Sequence, residues 1–108
     1  MLKLRQIIGD IRKLALAYRL QNGTINGITN ADLNIGTATD QIPSECRSSH
    51  YFRYEVSSYS ADPIFIATAW RCVAEGKTPQ RSGGAYDHYI QLKTYLDSGR
   101  DDWWSVGY

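Results

Sequence analysis

A long amphipathic helix at the start of this chain limits its possible folds more than any other feature. Apolar side chains recur there at spacings of three and four residues: Leu4, Ile7, Ile8, Ile11, Leu14, Ala15 and Tyr18. At about 100° per residue these positions form one stripe roughly 120° wide, which is typical of a helix lying on a core. We predict a helix over residues 1–22 that buries this stripe and ends at Asn22-Gly23.

A second, narrower apolar ridge lies on the opposite side of the predicted helix. It comprises Leu2, Gly9, Leu16 and Leu20. A surface helix of a small domain needs one apolar face, so the spare ridge suggests a contact outside the domain. Isolated surface leucines are the simpler interpretation. We predict that Leu2, Leu16 and Leu20 form an assembly face.

Length and charge set limits on the class of protein. A chain of 108 residues with a net charge of +1 predicts a single domain, residues 1–108, and excludes a polyelectrolyte binder. Residues 1–20 nevertheless carry five basic residues against one acidic residue. This imbalance allows the helix of one copy to attract the more acidic head of another, although a solvated helix face explains it equally simply.

The chain contains two cysteines, Cys46 and Cys72. They lack the CxxC spacing and the histidine partners of a zinc site. A disulfide between them would close a long loop and stabilise a small domain by roughly 3 kcal/mol. We favour this disulfide and an oxidising compartment, and two buried thiols in a cytosolic protein are the alternative.

In the rest of the chain, apolar and polar side chains alternate as in β-strands. An irregular connecting loop over residues 23–50 precedes strands predicted at 51–57, 64–73 and 87–95, and residues 96–108 form a tail that turns away from the sheet. The sheet is expected to occupy residues 51–95. The sequence therefore predicts an α+β fold, with one long helix packed on a three- to four-stranded antiparallel sheet.

Side-chain alternation assigns faces to two of these strands. Tyr54 and Val56 of the first strand and Ile90 and Leu92 of the third are predicted to face the core. The inward face of the second strand stays open, because small alanines lie on one side and Ile64, Ile66 and Trp70 on the other. In the connecting loop, residues 29–32 predict a short turn that carries Leu33 and Ile35 into the core.

The order and spacing of several segments resemble the type IV pilins and the major pseudopilins of type II secretion. The segments are the helix end at 16–23, Ala31-Asp32-Leu33-Asn34-Ile35, Tyr51-Phe52-Arg53-Tyr54, residues 66–71, Gly84-Ala85-Tyr86 and residues 89–92. The resemblance implies a pilin-like fold in which residues 1–22 are the C-terminal half of a longer spine helix. A bridge from the connecting loop to the central strand departs from the C-terminal disulfide of many pilins.

The resemblance also implies a function. Such a subunit assembles with its own copies and other pilin subunits into an extracytoplasmic filament, with the help of an inner-membrane machinery. Before assembly it is anchored in the membrane through an apolar N-terminal segment that is missing here, and it faces the periplasm or the exterior. The resemblance implies neither an enzyme nor a catalytic residue.

Charged residues on the predicted strands offer a different function, that of an enzyme. Glu55, Arg71 and His88 on successive strands, with His50 before them, outline a small secreted ribonuclease. Alternation places Glu55 outward and His88 inward, so these side chains diverge and we expect no enzyme.

The tail offers a calcium site, and the predicted sheet offers a nucleic-acid surface. Asp97, Asp101 and Asp102 are clustered without EF-hand spacing, so calcium is left unassigned and no cofactor is predicted. Aromatic and basic side chains share one sheet face at Tyr51, Arg53, Tyr89 and Lys93, as in a DNA-binding minor pilin. A solvated sheet face explains these side chains equally well, and we do not expect nucleic acid as a partner.

Overall fold

The computed structural model has one long helix packed against one antiparallel sheet. It describes residues 2–36, 42–47, 50–59, 63–72 and 88–106. The elements are helix α1 at Leu2–Asn22, a one-turn 3₁₀ helix at Ala31–Leu33, and strands β1 at Phe52–Tyr59, β2 at Ile64–Arg71, β3 at Tyr89–Tyr95 and β4 at Arg100–Val106. The strands lie in the order β1-β2-β3-β4, and every neighbouring pair is antiparallel. The predicted α+β arrangement is confirmed at this level.

Helix α1 ends where the sequence predicts. Gly23 adopts a left-handed φ of 77°, and its amide donates to the carbonyl of Arg19 at 2.7 Å. A glycine takes this conformation without steric cost, so the Asn22-Gly23 pair closes the helix.

The core lies between α1 and the face of the sheet that contains Ala67 and Ala69. Its helix side chains are Leu4, Ile8, Ile11 and Ala15, and its sheet side chains include Tyr54, Val56, Phe65, Ile90 and Leu92. The small alanines at the centre of β2 let the helix backbone approach, while Phe65 fills the volume beside them. The structure thereby settles the inward face of β2, and the predicted faces of β1 and β3 are confirmed.

The connecting loop covers the outer edge of β1. Asn30 accepts a hydrogen bond from the Val56 amide at 3.0 Å and donates one to the Tyr54 carbonyl at 3.3 Å. Pro43 accepts from the Tyr54 amide at 2.9 Å. The predicted turn beside Asn30 does bury Leu33 and Ile35. An edge strand exposes unpaired backbone groups, and these loop residues pair them.

The Cys46–Cys72 disulfide is present and fixes this loop to the end of β2, with the two Cα atoms 5.7 Å apart. The Cys72 amide also donates to the carbonyl of Tyr51 at 2.9 Å. The bridge therefore holds the connecting loop where it covers the edge of β1. A disulfide is typical of proteins that fold in an oxidising compartment.

The prediction for the C-terminal tail was wrong. Instead of turning away, residues 100–106 form β4, whose Arg100 pairs with Tyr95 and whose Trp103 pairs with Leu92. Gly99 reverses the chain with a φ of 75°, and its amide donates to the Tyr95 carbonyl at 2.7 Å. The aspartates suggested a loop, but the turn geometry and the β-forming tryptophans favour a hairpin.

Leu14 is also misplaced by the sequence pattern, because 40% of its surface is exposed although it belongs to the predicted core stripe. The buried positions are centred between Ile8 and Ile11, so Leu14 falls at the margin of the stripe. Helical periodicity locates the centre of a buried face better than its edges.

We predict opposite outcomes for two truncations on α1. Ile11→Ala should lower the free energy of unfolding by about 2–4 kcal/mol, because Ile11 is fully buried. Leu14→Ala should lower it by less than about 1 kcal/mol. Urea denaturation of both variants checks this, and equal losses would mean that Leu14 belongs to the core.

The burial of Tyr54 leads us to predict that the free energy of unfolding falls at alkaline pH. Only 4% of its surface is exposed, and burial raises its pKa from 10.0 to about 12. The unfolded chain therefore releases this proton at lower pH than the folded chain does. Stability that is complete below pH 10 should fall by up to roughly 3 kcal/mol as the pH rises toward 12.

Tyr54→Phe removes the titrating group and keeps the ring, so it should flatten this decline. Unfolding free energies measured by urea across the same pH range check the effect. Identical pH profiles for Tyr54→Phe and the parent chain would contradict it.

Candidate assembly surface

The solvent-facing side of α1 carries an apolar ridge. Leu14, Ala17 and Leu20 follow one another at three-residue spacing and are exposed, with Leu20 88% accessible. We call these three residues the exposed ridge. An i, i+3 row is the kind of ridge that packs into the grooves of a neighbouring helix. The exposed ridge is thus a helix surface that is open to solvent among the described residues and suits helix–helix contact.

The exposed ridge differs from the predicted assembly face of Leu2, Leu16 and Leu20. Leu16 is half-buried and packs against the core cluster, whereas Leu20 is open. The side chain of Leu2 lies outside the described part of the structure.

Three arginines spaced by seven residues connect α1 to the hairpin of β3 and β4. Arg5 lies over the ring of Trp103 with its guanidinium carbon 4.8 Å from the ring centroid. The Nε of Arg12 donates to Asp101 at 2.9 Å. We call Arg5, Arg12 and Arg19 the arginine row.

Arg19, the last member of the arginine row, pairs with Asp97 at 2.6 Å in the turn before β4. Seven residues make nearly two helical turns, so the row runs straight along one side of α1. It therefore contacts the turn, the start and the middle of β4 in succession. The spacing of these arginines marks one charged side of α1 in the sequence, but it does not indicate that a strand covers that side.

Asp101 accepts two hydrogen bonds where α1 meets the hairpin of β3 and β4. It accepts from Arg12 and also from the Thr94 hydroxyl at 2.6 Å. Thr94 is fully buried, so Asp101 satisfies a hydroxyl that water does not reach. A buried donor without a partner costs more than a surface ion pair contributes. Asp101 therefore stabilises the hairpin more through Thr94 than through charge.

These contacts reduce the positive charge that α1 can offer to another copy of the chain. Arg12 and Arg19 are paired with aspartates of their own chain. Attraction between this helix and the head of another copy would have to compete with those internal pairs. Two of the five basic residues in positions 1–20 are therefore neutralised within one subunit.

The clustered aspartates of the tail each meet an arginine. Asp97 and Asp101 contact the arginine row, and Asp102 contacts Arg100 at 3.0 Å. The same contact raises the pKa of Arg100, first through the hydrogen bond to Asp102 and then through its charge. Within the described ranges, no three acidic, histidine or cysteine side chains converge in a way that could hold a metal ion.

The residues of the ribonuclease-like outline occupy different positions of the sheet. Glu55 lies on the outer face of β1 opposite Thr68 and forms a 3.6 Å ion pair with Arg53. Arg71 meets His88 through the backbone, because its amide donates to the His88 carbonyl at 2.9 Å. Arg71 pairs with Phe52, three residues and about 10 Å along β1 from Glu55. His50 lies before β1.

Three of the four aromatic and basic residues singled out in the sequence do share the outer sheet face. Arg53 lies over the Trp70 ring at 5.6 Å, and the Trp70 and Tyr89 rings are 4.8 Å apart. Lys93 lies four residues farther along β3. Tyr51 precedes β1 and contacts Arg71 at 5.1 Å. The rings and guanidinium groups thus stack on one another across β1, β2 and β3.

Comparisons with protein-family models, with curated proteins and with solved structures found no match to this chain. The fold is therefore described from its own contacts. Among the described residues, no helix combines the length and the apolar character needed to cross a membrane.

We predict unequal costs for removing two aspartates that contact the arginine row. Asp101→Ala should cost about 1–3 kcal/mol of unfolding free energy, because it leaves the Thr94 hydroxyl buried without its acceptor. Asp97→Ala should cost less than about 1 kcal/mol, because its carboxylate is 69% exposed. Thermal or urea unfolding measures both.

A second substitution separates the two contributions of Asp101. In the Asp101→Ala background, Thr94→Val should restore part of the loss, since no unsatisfied hydroxyl then remains. Equal costs for the two aspartates, or no recovery with Thr94→Val, would assign the effect to charge alone.

Proposed function

We propose that this chain is a structural subunit of an extracytoplasmic filament of the type IV pilin or pseudopilin kind. The observation that carries the proposal is the exposed ridge of Leu14, Ala17 and Leu20 on a helix whose other sides are occupied. One side of α1 contributes the core, and the next side carries the arginine row. The remaining side exposes these apolar residues to solvent in the described part of the structure, Leu14 to 40% and Leu20 to 88%.

Filament assembly would give this ridge a partner. Spine helices of neighbouring subunits would pack side by side, and Ala17 between two leucines lets another helix backbone approach closely. Leu20 is large and almost fully exposed, so its burial alone would contribute about 1.5–3 kcal/mol per contact. Contacts of this size, repeated along a filament, favour polymerisation by many weak interfaces.

Other features of the chain support the same proposal. The described segments that resemble pilins follow one another as helix, connecting loop and antiparallel sheet, while Gly84-Ala85-Tyr86 lies outside the described residues. The Cys46–Cys72 disulfide agrees with folding in the periplasm or outside the cell. Anchoring through an apolar N-terminal extension of α1, assembly with other pilin subunits and use of an inner-membrane machinery are parts of this proposal.

We predict that the exposed ridge is needed for assembly and not for folding. In the full-length subunit, produced in bacteria with a working assembly machinery, Leu14→Ser/Leu20→Ser should reduce filament number by roughly tenfold or more. Electron microscopy and immunoblots of sheared filaments measure this. The thermal unfolding midpoint of the same double variant, measured on residues 1–108, should stay within a few degrees of the parent.

Gln6→Ser/Gln21→Ser is the matched control, because both glutamines are exposed on α1 and polar. This variant should form filaments normally. Normal filaments in the leucine variant, with the subunit folded and exported, would overturn the proposal. A leucine variant that unfolds would show instead that the ridge belongs to the core.

A further inference from the structure

A groove of about 630 Å³ lies at the β3–β4 side of the sheet. Its lining combines charged, amide and indole side chains: Gln91, Lys93, Asp101, Asp102, Trp103 and Trp104. The volume lies in the range of small-molecule sites. The arginine row and the exposed ridge do not line it, so the groove is separate from the proposed assembly surface.

Trp104 provides an open aromatic surface in this groove. It is 62% exposed, and it lies opposite Gln91 in the pairing of β3 with β4. Its neighbour Trp103 alternates to the helix side of β4, where Arg5 covers its ring. The two adjacent tryptophans therefore differ in use, since one packs on α1 and the other presents its indole to solvent.

The polar groups around Trp104 offer both donors and acceptors. The Gln91 amide nitrogen already donates to Thr68 at 3.1 Å, which leaves its carbonyl oxygen directed elsewhere as an acceptor. Lys93 lies opposite Asp102, and no ion pair within 4.0 Å joins Lys93 to another side chain of the described residues. The groove thus offers an ammonium donor, an amide acceptor and a carboxylate acceptor beside one indole.

We propose that this groove binds a neutral saccharide, with one pyranose ring stacked on Trp104. The C–H groups on one face of a pyranose carry a weak positive charge, and the face of an indole is negative, so the two surfaces attract. Ring hydroxyls both donate and accept hydrogen bonds. They match the acceptors of Gln91 and Asp102 and the donor of Lys93.

The charges of the lining select against other ligands. Asp101 is paired with Arg12 and Asp102 with Arg100, which leaves Lys93 as the one cation among the six lining residues. A nucleic-acid backbone binds through many phosphate contacts and needs several cations. An amphipathic peptide helix needs an apolar groove, and four of the six lining residues are polar or charged. A neutral polyhydroxylated ring satisfies these groups without burying an unpaired charge.

The test titrates methyl glycosides of glucose, galactose, mannose and N-acetylglucosamine into residues 1–108. The indole N–H resonances of the three tryptophans report binding in two-dimensional NMR spectra. We expect a saturable shift of the Trp104 resonance with at least one glycoside, at a dissociation constant of about 1 mM, because an open groove covers one face of the ring. Glucuronate, which adds a negative charge, should bind no more tightly than the methyl glucoside.

Variants assign the binding to the groove. Trp104→Ala should abolish the shifts of the backbone resonances of β3 and β4, and Lys93→Met should weaken binding by roughly tenfold. Tyr51→Ala is the matched control, because Tyr51 is another exposed aromatic residue, 45% accessible, and does not line the groove. Thermal unfolding shows whether each variant is folded.

Three results would overturn the saccharide proposal. The first is the absence of any saturable shift with all four glycosides, and the second is binding that survives Trp104→Ala in a folded variant. The third is tighter binding of glucuronate than of methyl glucoside, which would show that the groove selects a negatively charged ligand. None of these results bears on the filament proposal, which is tested by the leucine variants of α1.

Discussion

The close packing of α1 against β2 is the interaction on which the rest of the structure depends. Ala15 on the helix and Ala67 and Ala69 on the strand are fully buried, so two backbones approach where large side chains would hold them apart. Ile8 and Ile11 then fill the space on either side. Since β2 is central, β1 and β3 are positioned by pairing with it and extend the same apolar face beneath the helix.

The arginine row adds a second contact between the helix and the sheet. It reaches β4 through Trp103 and Asp101, whereas the apolar stripe of α1 packs on the alanines of β2. Because Asp101 accepts both from Arg12 and from the buried hydroxyl of Thr94, this contact is part of the packing and not only a surface ion pair. With the core and the arginine row occupying two sides of α1, the side with Leu14, Ala17 and Leu20 faces solvent in the described part of the structure.

The sequence predicted the fold better than it predicted which leucines of α1 are exposed. Side-chain alternation identified three strands and the faces of two, and loop size favoured the Cys46–Cys72 disulfide, because these features depend on neighbouring residues or on chain length. Burial of two leucines was predicted less well, since Leu14 is 40% exposed and Leu16 packs against the core cluster. Burial away from the centre of the helix stripe depends on which distant residues cover the helix, and periodicity does not record them.

Local physical chemistry in the sequence by itself determined the helix, its end at Gly23, the strand alternation and the choice of an α+β architecture. Only the tertiary structure decided that β2 presents its alanines to the helix, that the tail becomes β4, and that Trp103 and Trp104 serve opposite faces. The physical reason is that these features depend on contacts between distant residues, such as Arg12 with Asp101. A periodic pattern records which side of an element is apolar, but it does not record which partner covers that side.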